Sequence, residues 1–390
     1  IQYTSPRQAI KLLQRVGRSG HSELGRSRGV IVVFNNVNDI LESVVLARRA
    51  KNSELEKHYI PEKPYDALAH QIIGIILENN GLTTLDSIYS IVSRAYPYRD
   101  LLYSEFLSVI SQLKDQGLIR LYSDGRIKLG YGSIKYYFET SMIPDIKQYR
   151  VIDNVTQKVI GYLDEDFVLA SCSESNALIL SGRVWKIISI DHDSLKIHVE
   201  PVEDITATLP SWTGEYIPVD YKVAREVGAL KRLLYKAVIE GDSRILNFIK
   251  KNYSFDDDSW EKIVSLLNQQ HSRGYPIPTD KNVLIEKIGR LIIIHVHLGT
   301  RGNKALSLIL KHLINTQLDM EVTVKSDAYH VVMSPAHSIS LEILRRLFTA
   351  LVDLDVREVE EILAKTVKNT GLYLWRLMNV AKRFGVITKE

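Results

Sequence analysis

Hydrophobic and polar positions follow a helical period near residue 65 and a strand period further along the chain. Three amphipathic segments, each ended by Gly or Pro, predict helices over about 65–79, 84–95 and 101–116. Two β-type runs then flank Asp124-Gly125, a dipeptide that favours a tight hairpin turn. Three helices followed by a two-stranded wing predict a winged helix.

The middle of the chain changes to a period of two. The β-type runs there are YYFET, YRVID, KVIGYLD, FVLA, ALILSGRVWKIISID and SLKIHVEPV. Runs at this spacing predict a small barrel or a strongly curved sheet. Leu163 to Asp166 (LDED) is predicted to be a turn between two of them.

Helical periodicity returns after the predicted barrel. We expect helices over 221–251 and 259–272, a strand at LIIIHVHLG and a helix over 305–318. Two strands (EVTVKSD and YHVVMSP) and three closing helices complete the pattern. The predicted fold class is therefore α+β with several domains.

The first residues predict a helix, a basic loop and a strand (GVIVVFN), an order typical of the edge of an α/β domain. Asp39 is the predicted N-cap of the helix that follows. From Ile1 to Val30 the net charge is +5, whereas the whole chain carries +4. Within this basic stretch, LLQRVGRSGH (12–21) has two interpretations. It is either a solvated loop after a helix end, or a clamp in which arginines grip an anion beside permissive glycines.

Composition narrows the class of protein. With 45% hydrophobic and 25% charged residues, the 390-residue chain can form two or three domains with their own cores. Its apolar runs are too short to cross a membrane. The single cysteine, Cys172, excludes an internal disulfide and a cysteine-rich metal site. We therefore expect an intracellular, cytoplasmic protein, and few Cys and Met beside many Tyr favour a thermophilic, archaeal-type source.

Four stretches together carry a family resemblance. QRVGRSG (14–20) resembles the sixth motif of superfamily 2 helicases, Gln-x-x-Gly-Arg-x-Gly-Arg. With its upstream residues, and with GRVWKIISID, LPSWTGEYIP and HVHLGTRGNKAL, it is similar to the large helicase-related (Lhr) family of ATP-dependent DNA helicases. The four stretches lie along the whole chain and surround the predicted winged helix.

The resemblance implies a domain plan and an activity. Residues 1–60 would be the end of the second RecA-like lobe, 61–134 the winged helix, 135–220 the β-barrel part of the family-specific domain, and 221–390 its α/β remainder. The activity implied is 3′-to-5′ movement on single-stranded DNA or an RNA–DNA hybrid, in repair or recombination. We expect the chain to be part of a longer protein, with the first lobe supplied in cis or in trans.

The resemblance also assigns the nucleotide-site residues. Gln14, Arg18 and His21 would face ATP, and Arg18 would stabilise charge developing at the γ-phosphate. His21 stands where many helicases have a second arginine, and Arg15 is expected to pair with nearby acids. None of the 21 glycines precedes a lysine, so the chain has no P-loop. ATP and Mg²⁺ would be bound mainly by the absent lobe, and this chain alone should not hydrolyse ATP.

Candidate nucleic-acid contacts lie in the second half of the chain. Trp212, in LPSWTGE, is either a cap on the core or a platform for base stacking. Arg301 and Lys304 occupy a strand-to-helix junction whose free N–H groups favour anions, and Arg225 is a similar candidate. His295 and His297 could lie on one face of a strand, but two ligands do not make a metal site, so no metal site is assigned.

Two other classes of function remain open from the sequence. One is a non-enzymatic winged-helix module that binds nucleic-acid phosphates through Arg15, Arg18, Arg26 and Arg28. The other is a subunit that docks onto a separate P-loop polypeptide.

Replacing Trp212 tests the stacking hypothesis. Trp212→Ala should weaken binding of single-stranded DNA by about 1–3 kcal/mol, because a stacked base contributes that much, and Trp212→Phe should retain most of the affinity. Fluorescence anisotropy titrations measure both variants, with circular dichroism as the control for folding. Unchanged affinity of Trp212→Ala would contradict the stacking role.

Overall fold

The computed structural model describes residues 1–19, 27–33, 36–143, 147–172, 177–181, 183–202, 210–212 and 217–387. These residues form two compact units, each built from two chain segments. One unit comprises Ile1–Lys57 with Gly214–Val367, and the other His58–Thr213 with Lys368–Glu390. His21 lies outside the described residues, and of Trp212 only the backbone is described.

The elements are given in chain order. The first segment contains β1 (Gln2–Tyr3), α1 (Ala9–Val16), β2 (Ile31–Val32) and α2 (Val37–Lys51). The second contains α3 (Tyr65–Glu78), β3 (Leu82–Thr84), α4 (Leu85–Val92), α5 (Tyr103–Asp115), β4 (Ile119–Leu121), β5 (Arg126–Leu129), α6 (Ser133–Glu139), β6 (Gln148–Asp153), β7 (Val159–Asp164), α7 (Glu165–Ser171), β8 (Ala177–Leu180), β9 (Arg183–Asp191), β10 (Lys196–Pro201) and β11 (Pro210–Trp212). The remainder contains α8 (Tyr221–Val238), α9 (Ser243–Asn252), α10 (Asp257–Ser272), β12 (Leu284–Ile288), β13 (Leu291–His295), α11 (Gly299–Leu318), β14 (Val322–Ser326), β15 (His330–Pro335), α12 (Leu341–Asp353), α13 (Val356–Val367) and α14 (Gly371–Arg383).

Helices α3, α4 and α5 with the β4–β5 hairpin form the winged helix that the sequence predicts. Their apolar faces meet in one core, with Ile72, Phe106 and Ile127 fully buried. The hairpin turns at Gly125, whose φ of +80° is a left-handed conformation that glycine adopts without steric cost. The short strand β3 adds to the outer edge of β5.

The middle strands form one sheet, in the order β11-β8-β9-β10-β6-β7. Tyr149, Val151, Ile187, Ile197 and Val199 alternate along their strands and fill its core. A barrel was expected, but among the described residues no pairing joins the edge strands β7 and β11. The observed architecture is an open half-barrel.

Two runs predicted as strands are helices instead. YYFET falls in α6, where Tyr136 and Tyr137 pack against the winged-helix core. FVLA falls in α7, and LDED is not a turn, because Leu163 and Asp164 end β7 while Glu165 begins the helix. Acidic residues in a first turn favour helix formation, and apolar runs this short do not distinguish the two periods.

The other unit combines a helical core with a four-stranded antiparallel sheet. Helices α1, α2, α8, α9 and α10 share one core, and the sheet, ordered β12-β13-β15-β14, is covered by α11, α12 and α13. Strand β12 was not predicted. The helix expected over 221–251 is broken, because Gly241 has a φ of +73° and Asp242 caps α9. Asn36, not Asp39, caps α2.

A polar cluster is enclosed within this unit. The Lys231 ammonium, on α8, donates to Asn38 Oδ1 at 2.8 Å and lies 3.3 Å from His297 Nε2. It also lies over the Tyr329 ring. Burial lowers the pKa of Lys231 to about 8, against a smaller opposing attraction from Asp327. Burial and then Lys231 lower the pKa of His297 to about 3, so His297 is neutral and accepts the lysine hydrogen bond.

Helix α14 returns to the unit formed by residues 58–213. Arg383 Nη1 lies 2.6 Å from Asp66 Oδ2 on α3, and the Tyr136 hydroxyl donates to the Arg383 carbonyl. Near the other end of α14, Trp375 Nε1 donates to Glu165 on α7 at 3.1 Å. The helix therefore binds the winged helix at one end and the half-barrel at the other. No helix in the described ranges is long and apolar enough to cross a membrane.

Arg383→Met tests the contribution of this helix to stability. The Arg383 and Asp66 side chains are only 18% and 12% exposed. Removing the arginine leaves a largely buried carboxylate unpaired, which should cost roughly 3 kcal/mol of unfolding free energy. Arg126→Met, in an exposed pair with Asp124, should cost at most about 0.5 kcal/mol. Urea unfolding compares the two, and equal losses would contradict the prediction.

Lys231→Met tests the buried lysine. Because the pKa of Lys231 is lowered from 10.5 to about 8, the unfolded chain binds more protons than the folded chain between these values. Stability therefore rises with pH in this window. From about pH 7.5 to 9.5 the wild type should gain about 1–2 kcal/mol in urea unfolding. Lys231→Met should lose most of that gain and Lys236→Met should keep it. A full gain in Lys231→Met would show that another group is responsible.

Candidate nucleotide and nucleic-acid sites

Helix α1 carries the motif residues and is held firmly at its start. Its N-cap residue, Gln8, makes no side-chain cap. The Glu56 carboxylate takes that role by accepting from the backbone N–H groups of Ala9 and Ile10 at 2.8 and 3.1 Å. A carboxylate is favourable at a helix N-terminus, where it meets unpaired donors and the positive end of the dipole. The position of α1 is thus fixed by a residue from beyond α2.

The far end of α1 presents two polar side chains to solvent. Gln14 and Arg18 are exposed, and neither side chain has a hydrogen-bond or ion-pair partner within the described part of the chain. Arg15, expected to pair with acids, instead donates to the neutral amide oxygen of Gln2 at 2.7 Å. At Gly17 an added Cβ would lie 2.9 Å from the Leu13 carbonyl oxygen, so the residue that ends the helix has little room for a side chain.

The turn before α1 is strained and closely held. Thr4 and Arg7 both have positive φ, +59° and +66°, a conformation that costs energy for residues other than glycine. The Glu42 carboxylate on α2 accepts from the Ser5 hydroxyl at 2.5 Å and from Arg7 at 3.3 Å. Asp39 accepts from the Ser5 N–H at 2.8 Å. Two acidic residues of α2 therefore stabilise this turn.

Glu42 also binds a distant segment. The Tyr329 hydroxyl, from the loop before β15, donates to the second Glu42 oxygen at 2.5 Å. Glu42 is 1% exposed and Tyr329 is 4% exposed. Burial raises the pKa of Tyr329 well above its ordinary value, with a further contribution from Glu42. No local pattern in the sequence indicates this contact, because Glu42 and Tyr329 are 287 residues apart.

Arg225 on α8, and Arg301 and Lys304 on α11, lie near the starts of these two helices, which are hydrogen-bonded to each other. Val219, just before α8, donates its N–H to the Thr300 hydroxyl at 2.9 Å, and the Thr300 N–H donates to the Val219 carbonyl at 3.0 Å. The Thr300 amide, one of the N–H groups expected to be free at this junction, is therefore occupied. The binding of an anion at this junction stays a prediction.

These cations lack partners of opposite charge. Arg301 and Lys304 are exposed and Arg225 is half-buried, and none forms an ion pair with a described residue. Helix α11 itself contains no Asp or Glu. Arg225 nevertheless contributes to lowering the pKa of Asp280, after the larger effect of its partner Arg232. Arg225, Arg301 and Lys304, which were predicted one by one, all lie in the unit formed by Ile1–Lys57 and Gly214–Val367.

Trp212 belongs to the other unit. Within LPSWTGE, Pro210–Trp212 forms β11, which pairs parallel with β8 and places Trp212 opposite Ile179. The indole is not among the described side chains, so the choice between a cap and a platform stays a prediction. The other three tryptophans pack into the structure: Trp185 and Trp375 are buried and Trp260 is half-buried.

His295 and His297 do not share a site. His295, the last residue of β13, lies 3.2 Å from Glu286 and faces the His330 ring. His297, beyond the strand, is buried beside Lys231. Across the described ranges, no group of three or more His, Cys, Asp or Glu side chains could hold a metal ion.

Comparisons with known proteins agree with this architecture. The family model described as "Large helicase-related protein, winged helix domain" matches residues 48–206, and the one described as "DEAD/H associated" matches residues 277–390. The solved structure of Mycobacterium smegmatis helicase Lhr bound to ssDNA and AMP-PNP superposes with a TM-score of 0.68 at 20% identity. It covers 98% of this chain and 45% of that chain, which shows a shared fold.

Curated relatives are similar in sequence to this chain over nearly its whole length. ATP-dependent helicase Lhr-Core protein 2 of Thermococcus barophilus is 26% identical, over 97% of this chain and 44% of that protein. ATP-dependent helicase Lhr-Core of Methanocaldococcus jannaschii is 27% identical, over 99% and 45%. The chain thus spans less than half the length of these relatives. The two family models match in order along the chain, so the chain contains regions similar to the winged helix domain of large helicase-related (Lhr) proteins and to the DEAD/H associated domain, and its similarity to the Lhr-Core helicases extends over nearly its whole length.

Proposed function

We propose that this chain is the C-terminal part of an ATP-dependent DNA helicase that moves 3′-to-5′ along single-stranded DNA, in repair or recombination. Similarity to the Lhr family supports the class of activity, and the relatives named above are ATP-dependent helicases. Because the chain spans less than half of their length, the complete activity would need the remainder of such a protein, in cis or in trans.

The guanidinium of Arg18, which has no partner among the described residues, carries the proposal. Most of the buried or half-buried arginines in the same unit are paired with carboxylates, as Arg48 and Arg49 are with Glu226 and Arg232 is with Asp280. Arg18 is instead exposed at the end of a helix whose start is fixed. A positioned, unpaired guanidinium suits charge developing on a transferred phosphoryl group. Gln14 lies one turn earlier on α1 and would face the same triphosphate, as would His21.

The pair β1–β2 supports the assignment of residues 1–60 to a second RecA-like lobe. The two strands are parallel, and Tyr3 and Val32 are 64% and 45% exposed. Parallel strands normally belong to larger sheets covered on both faces, so this pair fits the margin of such a sheet. The remaining proposed domains are the winged helix at 61–134, a barrel-type part at 135–220 and an α/β remainder at 221–390.

ATP and Mg²⁺ would be bound mainly by the other lobe, because this chain has no Gly-Lys pair for a P-loop. When bound, the nucleotide would supply the free energy of hydrolysis. The residues of this chain that suit its phosphates are Gln14 and Arg18, whose side chains are exposed and uncommitted.

Single-stranded DNA, or the DNA strand of an RNA–DNA hybrid, is the proposed track. Arg225, Arg301 and Lys304 would contact its phosphates, since they are cations without acidic partners among the described residues. Trp212 would stack on a base. The Mycobacterium smegmatis structure named above holds ssDNA, which supports the choice of ligand for a chain of the same fold.

ATP hydrolysis stimulated by single-stranded DNA tests the proposal. This chain alone should be inactive, and the chain joined to its upstream coding region should be active. In the joined protein, Arg18→Ala should lower kcat by about 10³-fold or more, as expected for an arginine that stabilises the transition state. Arg28→Ala, in the same basic stretch, should leave kcat within about two-fold.

Each alternative predicts a different result. If the chain is only a binding module, the joined protein will not hydrolyse ATP, and Arg18→Ala and Arg28→Ala will weaken DNA binding equally. If it is a docking subunit, activity will appear only with a separate P-loop polypeptide. Unchanged kcat in Arg18→Ala would refute the role of Arg18.

A further inference from the structure

Between the predicted nucleotide-facing and DNA-facing residues of the first unit lies a continuous set of hydrogen bonds. It begins at the strained turn before α1, where the Ser5 hydroxyl and the Arg7 guanidinium bind Glu42. It crosses to Tyr329, whose hydroxyl donates at 2.5 Å to Glu42 Oε2, the same oxygen that accepts from Arg7. The turn leads directly into α1, which carries Gln14 and is followed by Arg18, so Glu42 is a common acceptor for the segment before α1 and for a distant loop.

The connection continues from Tyr329 to α11. The Tyr329 carbonyl accepts from the Val296 N–H at 2.9 Å. The Asn303 side-chain amide donates to the Val296 carbonyl at 3.1 Å and to the Asp327 carbonyl at 2.9 Å. Asn303 is completely buried, and it lies on α11 between Arg301 and Lys304. A displacement of α11 therefore acts on the loop that holds Tyr329.

Burial makes this connection stiff. A carboxylate that is 1% exposed is stable only while donors surround it. Glu42 has three such donors, from two separate segments, and the turn they hold contains two residues with positive φ. Losing one donor would leave a buried charge under-satisfied, so the donors are expected to shift together.

We propose that Glu42 and Tyr329 are positioning residues that couple DNA binding at α11 to the orientation of α1, and thereby of Arg18. The inference rests on the proposed function for its consequence in catalysis. Neither residue would touch the nucleotide or the DNA. Their effect would be a coupling between two sites, which acts equally in both directions at the level of binding.

Tyr329→Phe tests the coupling in the chain joined to its upstream coding region. It should lower the stimulation of ATP hydrolysis by single-stranded DNA by about five-fold or more. Hydrolysis without DNA, and DNA affinity without nucleotide, should each stay within about two-fold. Tyr253→Phe is a matched control, because it removes another tyrosine-to-glutamate hydrogen bond, to Glu226, in the same unit, and it should keep full stimulation. Full stimulation in Tyr329→Phe, or an equal loss in Tyr253→Phe, would overturn the inference.

Hydrogen exchange in the 390-residue chain separates this inference from the proposed function. Adding oligothymidylate should slow amide exchange over residues 4–16 in the wild type and in Tyr253→Phe, but not in Tyr329→Phe. An identical response in all three proteins would overturn the coupling even if the joined protein is an active helicase. If the wild-type joined protein shows no DNA-stimulated hydrolysis, the proposed function fails. The exchange result then tests by itself whether DNA binding at α11 is coupled to α1.

Discussion

The buried carboxylate of Glu42 is the constraint on which the first unit depends. It accepts hydrogen bonds from the strained turn before α1 and from the loop before β15, and so holds both segments against one buried charge. A carboxylate without water is costly unless donors surround it, so each segment must reach its place before this charge is accommodated. Two further contacts stabilise the same unit: Glu56 accepts from the backbone at the start of α1, and Lys231 donates to Asn38 on α2. The segment that leads to Arg18 is consequently one of the most constrained parts of the unit.

Pairing of charges separates structural arginines from candidate functional ones. Arg48, Arg49, Arg232 and Arg383 face carboxylates at 2.5 to 2.8 Å and connect elements distant in sequence. Arg18, Arg225 and Arg301 have no such partner among the described residues. A cation that the fold leaves unpaired keeps its full attraction for a phosphate, since it has no internal ion pair to break first.

The sequence anticipated the elements that depend on local signals. Helices α3 to α5 and the hairpin at Gly125 follow from periodicity, helix-ending glycines and turn chemistry. The predictions were wrong where a short apolar run fits both the helical period and the strand period. Tyr136 and Tyr137 became helical because they pack against the winged-helix core, and the helix expected across Gly241 was broken by its positive φ and the Asp242 cap. The pairing of Arg15 with Gln2 was missed because it joins the start of the chain to α1 across space.

The sequence by itself determined the resemblance to the Lhr family, the winged helix, the absence of a P-loop and the identity of the phosphate-facing candidates, because each is written in contiguous residues. Only the tertiary structure decided which cations are neutralised, that the sheet is an open half-barrel over the described residues, and that α14 returns to the unit of residues 58–213. It also decided that Glu42 and Tyr329 meet. Those outcomes depend on burial and on contacts between residues up to 317 positions apart, as for Asp66 and Arg383. Local periodicity carries no information about such pairs, because it reports which face of an element is buried and not what that face meets.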